Sequence, residues 1–122
     1  MNPVLDFSER VSVLPVVHGS IDFAVKVREE LLAHAGACVC VPLPGSWRED
    51  LLAAVERLPT PSAVLQDSGG ESATYVPVDP CQPVIAALRL ALRERMPIEF
   101  VDLEAQEFQA PSVVHPDPFA LK

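Results

Sequence analysis

With 122 residues, 49% of them hydrophobic and 21% charged, the chain has the make-up of one folded domain and not of a disordered segment. A net charge of −8 argues against the clustered Lys and Arg that phosphate backbones require, so no nucleic-acid partner is expected. No run approaches the ~18 apolar residues of a membrane span, and Asp6 and Glu9 precede any apolar stretch, so neither a membrane anchor nor a leader peptide is expected.

The three cysteines are an odd number in a small chain, which fits a reducing cytoplasm better than a disulfide framework. Residues 11–17 (VSVLPVV) read as a first strand, weakened near its end by Pro15, which has no N–H to give to a ladder. His18-Gly19-Ser20 follows as a tight turn. Ser20 is placed to cap a helix, and Asp22 lies in its first turn, against the positive end of the dipole. Ala24, Val27 and Leu31 recur at helical spacing, with Lys26, Glu29 and Glu30 on the other side, and Gly36 ends the segment. Residues 37–41 (ACVCV) are almost continuously apolar, the pattern of a strand covered on both faces. Cys38 and Cys40 point the same way from it, either as a redox or metal pair or as small hydrophobic core residues. After Pro42 and Pro44, Ser46 and Glu49 have the spacing of a capping box for a second helix on Leu51, Leu52, Val55 and Leu58, stopped by Pro59.

Residues 62–65 begin a third strand, and residues 66–74 (QDSGGESAT) read as a polar loop. Its Gly69-Gly70 lacks the Lys-Ser/Thr of a phosphate-binding loop. Residues 75–78 form a short extended piece. In DPCQP (79–83), Asp79 or Gln82 caps a third helix and one of the prolines takes its first position. That helix, 84–95, is apolar on most sides and should be the most buried. Cys81, near its start, is placed for a lowered thiol pKa. Pro97 then breaks the chain into residues 98–103 (IEFVDL), which alternate strictly. Ile98, Phe100, Asp102 and Glu104 share one face, and Glu99, Val101 and Leu103 the other. Beyond Glu104 the periodicity dissolves. Residues 105–122 read as a Pro-containing tail or linker that leads into a further C-terminal part or docks on a protein partner, through Val113, Val114, Phe119 and Leu121.

These segments predict an α/β domain over residues 1–104: a three-layer, mostly parallel sheet of about four strands, flanked by three helices and followed by the irregular tail. Open sheets of that kind bind ligands at the carboxyl edge. There the expected sheet gathers His18, Ser46, Asp67, Ser68, Asp102 and Glu104. An imidazole at His18 can serve as base or metal ligand. Its other reading is a turn histidine hydrogen-bonded to backbone. Asp102 and Glu104, two apart on one face, can hold a divalent cation or polarise a water, or can simply mark where the strand leaves the core. His34 and His115 read as surface residues.

The turn HGS (18–20), the segments VCVPLP (39–44) and YVPVDPCQP (75–83), and the exit PIEFVDLE (97–104) together carry a resemblance. They resemble the N-terminal half-domain of the erythromycin esterase/ChaN/TraB-like superfamily, and within it large bacterial proteins associated with MoxR-type ATPases and von Willebrand A partners. The likeness spans about residues 11–104 and lies in the order of elements and these local phrases. It implies a hydrolase-related domain in which His18 matches the histidine after the first strand. Asp102 or Glu104 matches the acidic residue after the later one. Hydrolysis by a His-activated or metal-bound water follows from that, with a divalent metal as the implied cofactor. The chain departs from the pattern in having a single histidine where relatives often have two, and Pro42 where they tend to place a Glu. These departures support a second expectation, a non-catalytic interaction or assembly domain of a larger bacterial protein.

Overall fold

Helices form where the apolar spacing predicts them. The structure, a computed structural model, describes residues 4–67 and 73–104. In α1 (Ile21–Ala33), Ala24 and Val27 are buried, while Lys26 pairs with Glu30 at 2.9 Å and Glu29 at 3.5 Å on the other side. Ser20 is the N-cap, but its hydroxyl makes no capping bond. A 3-10 turn (Gly45–Trp47) precedes α2 (Arg48–Glu56), so Trp47 stands at the N-cap and the expected Ser46–Glu49 capping box is not made. In α3 (Pro83–Arg93), Pro83 takes the first helical position behind Gln82. This helix buries Pro83, Ile85, Ala87, Leu88 and Ala91, more than either of the others.

The strands overturn the expected architecture. Among the described residues there is no three-layer, mostly parallel sheet; the strands form three two-stranded sheets, and one pair of them is parallel. β1 (Leu5–Ser8) and β2 (Val11–Val13) make an antiparallel hairpin. Its turn is held by the Arg10 N–H donating to Ser8 Oγ (3.2 Å), and the Ser12 hydroxyl bonds Asp6 across the strands (2.8 Å). The strand expected over residues 11–17 therefore stops at Val13, before Pro15, and pairs backwards along the chain. β4 (Ser62–Asp67) folds onto β5 (Ala73–Val78) over the full six-residue register from Ser62↔Val78 to Asp67↔Ala73. A chain reversal within a few residues can only give an antiparallel neighbour, because a parallel one needs a long crossover. Gln66 and Thr74, expected in the loop, are paired in this ladder.

Among the described residues only β3 (Val39–Pro44) and β6 (Ile98–Asp102) run parallel, aligned as Val39↔Ile98, Val41↔Phe100 and Pro44↔Asp102. β3 is covered on one face, not two. Val39 and Val41 are buried, and Cys40 between them is exposed, as is Cys38. The core-packing reading of the two thiols thus fails. The core itself gathers Val27 of α1, the inward residues of β3 and β6, Trp47, and the apolar stripes of α2 and α3, with Val78 closing it from β5. Arg48 ties α2 to β6: its Nη1 donates to the Ile98 carbonyl at 2.9 Å, and its guanidinium lies 5.5 Å from the centre of the Phe100 ring. Among the described residues no helix is long and apolar enough to cross a membrane. Ser68, Gly69-Gly70 and the tail from residue 105, with His115 and its apolar residues, lie outside the described residues.

Candidate functional site

Among the described residues the carboxyl end of the β3–β6 pair is the one parallel-sheet edge, and it brings Asp102 and Glu104 beside the Gly45–Trp47 turn. Glu104 Oε1 accepts the Ser46 N–H at 2.7 Å. The Ser46 hydroxyl foremost, then the Ser46 and Gly45 amides, hold this carboxyl below the usual glutamate range. Glu104 thus supplies, from a residue far along the chain, the anion that the Ser46–Glu49 pattern was expected to supply locally. Gly45 leaves room for it, since a Cβ there would stand 3.3 Å from Glu104 Oε1. Asp102 Oδ1 accepts the N–H of Leu103 at 2.8 Å. Both carboxylates are therefore bonded to backbone donors. The lowered pKa of Glu104 makes it a weaker base than a free carboxylate.

His18 is exposed in its turn, which is fastened elsewhere. Gly19, at φ +73°, donates its N–H to Gln82 Oε1 at 2.9 Å. Gln82 Nε2 in turn donates to Asp79 Oδ2 at 3.4 Å, and Asp79 Oδ1 accepts the Cys81 N–H at 2.8 Å. The turn is thus latched onto the residues that start α3. Asp67 closes β4, in a sheet separate from β3–β6, so it shares no strand edge with Asp102. No three His, Cys, Asp or Glu side chains among the described residues are grouped to hold a metal ion. The donor set for the divalent metal that the resemblance implies is not found in His18, Asp102 and Glu104.

The structure assembles a different feature from arginines on two helices. Arg28 of α1 and Arg89 and Arg93 of α3 line one groove of about 450 Å³, whose apolar lining includes Ile21, Val25 and Leu90. Arg93 approaches the neighbouring Glu94 at 3.8 Å, with both side chains largely in solvent. The spacing of Arg89 and Arg93 put them on one stripe of a helix. Nothing local could show that α1 would bring Arg28 against the same stripe.

Apolar side chains also remain uncovered on the hairpins. Phe7 is 72% exposed, with Leu5, Val11 and Val13 open around it on the first hairpin. Leu65 (68% exposed) and Tyr75 (64%) face one another across β4–β5. No protein family, curated protein or solved structure matches this chain.

Proposed function

We propose that this chain is a non-catalytic interaction domain that receives an acidic amphipathic helix of a protein partner between α1 and α3. The carrying observation is the groove: three guanidiniums over an apolar floor, on a chain whose net charge is −8. A helix laid into a groove contributes apolar anchors at one stripe and charges along its flanks. Arg28, Arg89 and Arg93 suit carboxylates on those flanks, because a planar guanidinium can bind a carboxylate through two parallel hydrogen bonds. The uncovered side chains of the two hairpins add apolar surface that a protein partner could cover. The hydrolytic reading has less to rest on, since no group of three His, Cys, Asp or Glu among the described residues gathers His18, Asp102 and Glu104 around a metal.

The test uses two fluorescent helical peptides with the same leucine stripe, one flanked by Glu and the other by Lys. The Glu peptide should bind, and more weakly as salt is raised. Arg28→Glu combined with Arg89→Glu should weaken binding by at least about tenfold, the loss of ~1.4 kcal/mol. Equal binding of the Lys peptide, or unchanged binding by the double variant, would overturn the proposal.

A further inference from the structure

The α1/α3 groove has two unlike ends. Each helix leads through a short loop, residues 34–38 or 94–97, into one strand of the parallel pair β3–β6. A helix joined so closely to a strand packs back along it, so α1 and α3 run the same way. Both walls present residues at i, i+4 and i+7: Ile21, Val25 and Arg28 on α1, and Ala86, Leu90 and Arg93 on α3. On each wall two apolar residues come first and an arginine last. Where the helices start, Pro80 joins the lining; Asp22 follows Ile21 and Asp79 precedes Pro80, so that end carries negative charge. Where they end, Arg28 and Arg93 line the groove, with Arg89 one turn before. The acids near that end are already engaged: Glu29 and Glu30 pair with Lys26, and Glu94 meets Arg93 at 3.8 Å in solvent.

We propose that the groove fixes the direction of the partner helix. That helix places an acidic first turn against Arg28 and Arg93 and runs antiparallel to α1 and α3, toward Ile21 and Pro80. The inference rests on the groove receiving an acidic amphipathic helix, and it adds which end of that helix is acidic. Guanidiniums attract carboxylates at one end of the groove, and Asp22 and Asp79 repel them at the other. Carboxylates in the first turn of a helix are favoured by its own dipole, whereas in the last turn they are opposed by it. An antiparallel arrangement also sets the dipole of the partner helix against those of α1 and α3. All three effects select the same orientation.

The experiment uses two peptides of one composition, a leucine stripe with Glu gathered either in the first turn or in the last. Each is stapled across its solvent face so that circular dichroism shows equal helicity. The acid-first peptide should bind the full chain at least about tenfold more tightly than the acid-last one. A spin label at its N-terminus should broaden the amide resonances of Arg28 and Arg93 more than those of Ile21 and Ala86. Equal binding, tighter binding of the acid-last peptide, or strongest broadening at Ile21 and Ala86 would overturn the direction and leave the interaction reading standing. Binding of neither peptide would overturn both. Sedimentation of the free chain should show a monomer; a dimer dissociated by Arg28→Glu would put a second copy in the groove and likewise overturn both.

Discussion

Glu104 is held as an anion by the Ser46 hydroxyl and by the amides of Ser46 and Gly45, so its protonation is coupled to folding. Its pKa is lowered in the folded chain, whereas in the unfolded chain it reverts to the ordinary value of about 4.3. The stabilisation is therefore complete above that unfolded value and is lost as pH falls through the lower, folded one. Glu104→Gln removes the titrating group but keeps an oxygen that can accept the Ser46 amide. Urea unfolding between about pH 5 and pH 3 should show stability falling less steeply for the variant than for the wild type. Equal slopes would mean that the carboxylate does not anchor the turn. The presence of acidic residues where β6 leaves the core was legible from the alternation of IEFVDL. Their partners were not, because Ser46 lies 58 residues away and Gln82 lies 63 residues from the Gly19 amide it holds.

At the scale of elements, the end of α3 carries a conformational cost that can be measured. The Met96 N–H donates to the Ala91 carbonyl (2.8 Å) and the Arg95 N–H to Leu92 (3.3 Å), the paired bonds of a Schellman cap. Met96 and Ala91 are both buried, as the hydrophobic contact of that motif requires. The left-handed position belongs to Arg95, at φ +55°, where a glycine is the usual occupant. Arg95→Gly should stabilise the domain by about 1 kcal/mol, read from the denaturation midpoint at unchanged slope. No gain, or a loss, would show that the arginine side chain offsets its backbone strain. The helices were legible because their 3.6-residue stripe is written locally and each found the core it implied. Strand segments were legible too, but their pairing was not. Whether residues 62–67 lie beside another parallel strand or beside residues 73–78 depends on where the chain reverses, which the alternation within one strand does not encode. The short alternation of β1 (LDFS) was overlooked, and with it the partner that draws Val11–Val13 away from any central sheet.

Over the whole molecule, burial is uneven, and stability should follow it. The core joins α1, β3, α2, β5, α3 and β6, and it includes no residue of β1 or β2. Those two strands contact chiefly each other, and Leu5, Phe7, Val11 and Val13 face solvent. An isolated two-stranded hairpin is marginal in water, because its few ladder bonds barely offset the entropy of ordering the chain. Residues Leu14 and Val16, packed partly against the core, are the tether that keeps it near the domain. Its amides should therefore exchange with deuterium through local opening of almost no cost, while those of α3 and the β3–β6 ladder should wait for global unfolding. Hydrogen exchange at neutral pH separates the two cases residue by residue. If the amides of Leu5–Ser8 and Val11–Val13 were protected as strongly as those around Leu88, the hairpin would have to be covered in solution, and a second copy of the chain would be the first candidate to cover it. With the expected fast exchange, the hairpin is instead an open apolar flap in the free domain.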